Sequence, residues 1–147
     1  MSWKQLLAAR KVHTHQASKQ ELDELRVVVK RDLADAALPA PSEDRRFATA
    51  YNAALQAARM ATACAGYRVA AVPGHHALSF ECAGVALGKQ ADKFVLFFDS
   101  CRRKRNVIDY TGVQIATSTE AAELLQTAQE FNDLVESWIK ATHPHFI

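Results

Sequence analysis

One face of the stretch from Ser42 to Gly66 reads Phe47, Ala50, Tyr51, Ala54, Ala58, Ala61 and Ala65. Apolar residues three and four apart fall on one side of a helix, whereas a strand would alternate them. Alanine is the strongest helix former and its side chain ends at Cβ, so a helix faced with it lets its neighbours approach closely. Ser42 supplies an N-cap, and Glu43 and Asp44 put carboxylates in the first turn, where the helix dipole favours them. Gly66 marks the far end, unless Tyr67 and Arg68 carry the helix on by a turn. A chain organised around such a segment is a helical bundle.

The same period recurs along most of the sequence. Residues 2–12 read as a short N-terminal helix anchored by Trp3, Leu6 and Leu7. Ser18 and Glu21 have capping-box spacing, and Leu22, Leu25, Val29, Leu33 and Ala36 follow on one face until Pro39 and Pro41. Pro73-Gly74 is the clearest break, after which a shorter helix runs from about His75 to Leu87 and stops at Gly88. Another spans about Gln90 to Asn106, and Thr111-Gly112 turns the chain. Thr117 and Glu120 form a second capping box ahead of Ala121, Leu124, Leu125, Ala128, Phe131, Val135 and Trp138. Only residues 67–72 and 107–115 lean towards strand, and both are short. The expectation is an all-α, antiparallel four- to five-helix bundle in one domain, with residues 1–17 an arm or short helix and 18–142 the bundle.

With 147 residues the chain can bury a core of its own, and 49% hydrophobic against 23% charged residues excludes a disordered chain. No run of about 18 uncharged apolar residues exists, and the N-terminus lacks a signal-peptide core, so a cytoplasmic protein without a membrane span is expected. The formal charge of +2 is unevenly spread. Residues 1–31 and 99–110 are basic, whereas 118–140 carry Glu120, Glu123, Glu130, Asp133 and Glu136 against Lys140. Such asymmetry suits either a basic cleft for a phosphate-bearing ligand or a solvated acidic face. Cys64, Cys82 and Cys101 have neither zinc nor disulfide spacing and read as packing residues. His13, His15, His143 and His145 fall in terminal segments and read as polar tails, not as a metal site. No cofactor motif is present.

Chemistry concentrates in Arg102-Arg103-Lys104-Arg105-Asn106, which ends a stripe of Phe94, Val95, Phe98 and Cys101. Arg102 and Arg105 continue that stripe, so they either pair internally with Glu81, Asp99, Asp109 or an acid of the last helix, or they line a crevice. Arginine stays charged and offers a planar fork suited to carboxylate or phosphate. Arg103 and Lys104 point elsewhere and would touch phosphates from the surface.

Four blocks in order carry a family resemblance: Phe47 with Ala50-Tyr51-Asn52-Ala53-Ala54-Leu55; Ala65-Gly66-Tyr67-Arg68; Gly74-His75-His76; and Arg102 through Tyr110. Over roughly residues 18–142 the chain resembles the HEPN domain, and in particular small stand-alone bacterial members of that superfamily. The resemblance implies a four- or five-helix bundle, often a homodimer, that acts on RNA without a metal or cofactor in toxin–antitoxin or phage-defence systems. It equally implies a non-catalytic interaction module, some of which work beside a nucleotidyltransferase that adds AMP to a tyrosine near the motif. The superfamily's nuclease motif is Arg, four to six residues, then His. Here Arg105-Asn106 begins it, but Tyr110 stands where the histidine would be. Arg68 and His75 have the spacing formally, yet they straddle Pro73-Gly74.

Metal-free RNA cleavage needs a group that moves protons near neutrality and a cation that steadies the phosphate. Tyr110, with an ordinary pKa of about 10, suits proton donation better than general base work. Antiparallel packing of neighbouring helices would bring His75 and His76 towards Arg102 and Arg105, so His76 is the candidate imidazole. The expected site is thus Arg105, Tyr110 and His76 for catalysis, with Arg102, Arg103, Lys104, Arg105 and Asn106 gripping RNA or nucleotide phosphate. A small anionic metabolite is a weaker alternative ligand.

Overall fold

The computed structural model describes residues 1–39, 42–111 and 114–147, so the breaks expected at Pro41 and Gly112 lie outside the described residues. In chain order the elements are α1 (Trp3–Ala8), β1 (Val12–Thr14), α2 (Lys19–Ala36), α3 (Glu43–Cys64), β2 (Tyr67–Val69), α4 (His75–Leu87), α5 (Asp92–Thr111) and α6 (Ser118–Thr142). Single 3₁₀ turns occupy Lys89–Ala91 and Pro144–Phe146. The all-α bundle expected from the periodicity is what the chain forms.

Helix α3 is the axis. It packs against α2 and α6 on one side and α4 and α5 on the other, and its alanines are why this is feasible. Ala50, Ala54, Ala57, Ala58 and Ala61 are fully buried, so neighbours lie directly on the helix backbone. Arg46 Nε, near the start of α3, donates to the Ala36 carbonyl at the end of α2 (2.9 Å), and Asn52 further along α3 donates to Asp32 further back in α2 (2.6 Å), so the two helices run antiparallel. Asp44 on the first turn of α3 accepts from the Ile115 and Ala116 amides, at 3.0 and 2.6 Å to Oδ1. A carboxylate expected to complement a helix dipole therefore also fixes the entry to α6. Arg26 of α2 donates to Glu136 of α6 (3.1 Å), to Asp23 (2.8 Å) and to the Phe146 carbonyl (2.7 Å). The C-terminus is consequently docked, with Phe146 buried, and the polar tail expected there is not what forms.

The main core is aromatic at its centre. Phe98 of α5 stacks on Phe80 (5.0 Å between centroids) and meets Phe131 of α6 edge-on (5.2 Å). Helices α4 and α5 come close enough at Gly84 that a Cβ there would lie 3.2 Å from Val95 Cγ2. Helix-ending glycines behave as read: Gly66 and Gly88 sit at φ +97° and +81°, a region side chains disfavour. Thr117 and Glu120 complete their capping box, and a further one forms at Ser2 and Gln5. Cys64, Cys82 and Cys101 are buried free thiols, and burial pushes each up to about 12.

Three expectations need correcting. The N-terminal helix ends at Ala8, and the following residues form β1, which pairs antiparallel with β2 in the register Val12↔Val69, His13↔Arg68, Thr14↔Tyr67. Residues 67–69 are therefore strand and not a continuation of α3, whereas 107–111, also read as strand-prone, belong to α5. A second apolar cluster of Leu6, Val12, Leu78 and Cys82 holds this ribbon against α4, and Trp3 stacks on Tyr67 at 4.2 Å. Among the described residues no helix is long and apolar enough to cross a membrane.

Candidate functional site

Helix α3 is buried over most of its surface, yet one line of it stays polar: Asn52, Gln56 and Arg59, four and three residues apart. These side chains are chained by hydrogen bonds. Arg59 Nη1 donates to Gln56 Oε1 (2.9 Å), Gln56 Nε2 to Asn52 Oδ1 (3.2 Å), and Asn52 Nδ2 to Oδ2 of the buried Asp32 on α2 (2.6 Å). The row forms one wall of a cavity of about 640 Å³. The ribbon contributes Arg68 and the following Val69–Ala71, α4 contributes His75, His76 and Ser79, and α5 contributes Arg105. His15, just after β1, and Glu21 of α2 close the rim.

Charge in this cavity is lopsided. Among the described residues three arginines and three histidines line it, and Glu21 is the one carboxylate there. His15 Nε2 lies 2.8 Å from both oxygens of Glu21, and Arg68 Nη2 donates to Oε1 at 3.2 Å. That commitment explains an incomplete cap: Ser18 accepts from the Glu21 amide, but the carboxylate turns to the cavity instead of back to Ser18. Arg59 has no carboxylate partner among the described residues. Arg105 pairs with Asp109 through Nη1, while its Nε is buried without a partner.

Tyr51 joins the two sides of the site. Its ring is buried, lies 5.6 Å from the Arg105 guanidinium carbon, and its hydroxyl is hydrogen-bonded to His76 Nδ1 at 3.4 Å. Burial pushes the Tyr51 phenol up to about 12, outweighing Arg105 and Arg102, which pull it down. Burial likewise lowers the His76 pKa, helped by His75, Arg105 and Arg102 and opposed by Asp109. These effects favour the neutral form of His76, whose ring lies at the cavity wall.

Of the residues expected from the sequence, Arg105 and His76 meet here, as antiparallel packing of α4 and α5 suggests. Arg68 and His75, whose formal spacing spans the Pro-Gly break, also both line the cavity. The others lie elsewhere. Arg102 donates to Asp99 at 3.1 Å, Arg103 donates to the same carboxylate at 3.0 Å, and Lys104 pairs with Glu120 on α6. Asn106 is exposed, and Tyr110 is 89% exposed and outside the cavity wall. Glu81, a candidate partner for the arginines, instead lies 4.0 Å from the N-terminal amine. His15, read as a tail residue, belongs to the rim.

Residues missed by sequence reasoning are Tyr51, Asn52, Gln56, Arg59, His15 and Glu21. A signal existed for three of them, since Asn52, Gln56 and Arg59 are a polar line along an alanine-rich helix. A second cavity of about 600 Å³ shares Asn52 and Arg105 with the first and reaches Arg31, Arg45 and Gln114. Fold and site together define an all-α bundle with a basic cavity walled by helices and a two-stranded ribbon. Comparisons of the chain with models of known families, with curated proteins and with solved structures find no match.

Proposed function

We propose that the cavity binds an oxyanion, the phosphate of RNA or of a nucleotide, as the HEPN resemblance implies. The observation that carries this reading is the convergence of Arg59, Arg68 and Arg105 with His15, His75 and His76 around a single carboxylate. Arginine forks make charge-assisted hydrogen bonds to phosphate, and a neutral imidazole at the wall can accept or donate a proton. On this reading Arg105 and His76 are the pair for metal-independent ribonuclease chemistry, Arg105 steadying the phosphorane and His76 moving a proton. The other parts of the reading, a homodimer acting in a cytoplasmic toxin–antitoxin or defence setting, belong to the same proposal.

Binding of a labelled single-stranded RNA at low salt tests it. The full chain is expected to bind, with Arg59→Ala and Arg105→Ala each weakening affinity about tenfold or more, since a hydrogen bond to a charged group contributes about 1.5–3 kcal/mol. Affinity should fall steeply with salt. Absence of binding at low salt refutes the reading. RNA bound but left intact in the presence of a chelator would refute the nuclease step alone.

A second reading rests on a different observation: each of Arg102, Arg103, Lys104 and Arg105 has an acidic partner on its own chain. The basic run then stabilises the α5–α6 region of a non-catalytic interaction module working with a partner such as a nucleotidyltransferase. An Arg105→Ala chain that loses stability but keeps RNA affinity would favour it.

A further inference from the structure

The hydroxyl of Tyr51 has His76 Nδ1 as its only hydrogen-bond partner among the described residues. The residue is 1% exposed and Phe80 packs edge-on against its ring at 5.7 Å. The Arg105 guanidinium lies over the same ring, 5.6 Å from its centroid. One buried side chain on α3 therefore touches the imidazole of α4 and the cation of α5.

A buried phenol that keeps its proton avoids an unpaired O–H by donating to Nδ1, the one partner in reach. Neutral imidazole that accepts at Nδ1 carries its proton on Nε2. Around His76 stand Tyr51 from α3, His75 on its own helix, and Arg102, Arg105 and Asp109 from α5; across the cavity stand Arg59, Arg68 and the His15–Glu21 pair. This surrounding is more positive than negative, which disfavours a charged imidazole. An oxyanion seated beside Arg105 reverses that balance.

We propose that Tyr51 is a positioning residue whose hydroxyl fixes the His76 tautomer and whose ring seats Arg105, so that oxyanion binding and proton uptake by His76 are one coupled event. The proton comes from solvent and lands on Nδ1, and the phenol oxygen turns from donor to acceptor without ionising, its O–H swinging into the cavity that Tyr51 lines. This inference rests on the anion-binding reading above.

The test follows the His76 ring by nitrogen and carbon NMR shifts in the full chain from about pH 5 to about pH 9, the window in which histidine titrates. It is run without and with sulfate, a probe that stays dianionic throughout, on the wild type and on Tyr51→Phe, which keeps the ring and its packing. The expected wild-type result is the Nε2–H tautomer, a His76 pKa raised by sulfate, and affinity that tightens by up to about tenfold per pH unit of acidification. In Tyr51→Phe the tautomer preference should vanish, and the pH slope should shrink because the charged imidazole loses the phenol oxygen that accepts from Nδ1–H. An Nδ1–H tautomer in the wild type, which needs no variant to measure, overturns the inference, as does a Tyr51→Phe chain with an unchanged tautomer and slope. Sulfate binding without a pH slope overturns the coupling and leaves the anion reading standing; no sulfate binding at any pH overturns both.

Discussion

Replacing Glu21 by Gln should make the protein less stable and its cavity more attractive to anions. The carboxylate ties three segments together: it accepts from His15 after β1 and from Arg68 on β2 while sitting in the first turn of α2. These are partly exposed pairs, with side-chain exposures of 23% and 27% for His15 and Glu21 and 59% for Arg68. Pairs of that kind contribute between zero and about 1 kcal/mol each, so losing both should cost about 1 kcal/mol. For a chain of this size that is a Tm drop of about 2–4 °C. The binding effect has the opposite sign. Glu21 is the one negative side chain on the cavity wall among the described residues, and a unit charge at close range in a water-rich site contributes about 1 kcal/mol. Its removal should tighten sulfate binding about fivefold. Urea denaturation measures the first quantity and calorimetric titration with sulfate the second. Because glutamine keeps the shape, a general loosening of the rim would weaken binding. Weaker sulfate binding in a folded Glu21→Gln chain would therefore refute the charge argument.

Three further outcomes follow from the packing and the proton balance. Phe98→Ala removes the ring on which Phe80, Phe94 and Phe131 converge and should destabilise the fold by about 3–5 kcal/mol in denaturant melts; a loss under about 1 kcal/mol would show that this cluster is not the centre of the core. Thr117→Ala breaks the capping box at the start of α6 and should cost about 1 kcal/mol in denaturant melts, whereas Thr117→Ser, which keeps the capping hydroxyl, should cost little; an equal loss in both would refute the cap. His76 has its folded-state pKa below the ordinary value of 6.5, so the unfolded chain takes up the proton first as pH falls. The neutral folded form is then favoured above about 6.5 and stability is lost as pH drops from there towards the folded pKa. His76→Gln should flatten that part of the stability–pH curve, and an unaltered curve would exclude His76 as its source.

How much of this was readable beforehand depends on the range of the interactions involved. Helices α3 and α6 announce themselves through period and caps because those signals are local, confined to Ser42 and Thr117 and the turns they start. The ribbon is different. Three residues of β1 carry no measurable alternation, and what makes them a strand is pairing with β2 more than fifty positions away, as Val12↔Val69. Glu21 illustrates the same conflict at one residue. Its spacing from Ser18 predicts a reciprocal cap, but an imidazole and a guanidinium that only the folded chain brings near take the carboxylate instead. Arg105 and His76 were within reach because adjacent antiparallel helices need only the order of elements. Tyr51 was hidden in the apolar stripe, since an aromatic ring at helical spacing reads as core, and its hydroxyl gives no sign of facing a cavity.

The ribbon is also what turns a bundle into a binding site. Five helices packed through alanine and phenylalanine leave little space between them, and the polar row on α3 would face open solvent without something opposite. The second apolar cluster, Leu6 and Val12 with Leu78 and Cys82, holds β1 and β2 against α4. That placement brings Arg68 across from Arg59 and Arg105 and sets His15 on the rim. The basic run at the end of α5 is, by contrast, mostly satisfied by Asp99, Asp109 and Glu120. Cationic density in sequence and cationic availability in the fold are thus different quantities. Of the four consecutive cations only Arg105 reaches the cavity, and the arginine there without an acidic partner among the described residues, Arg59, comes from the helix whose alanines first defined the fold.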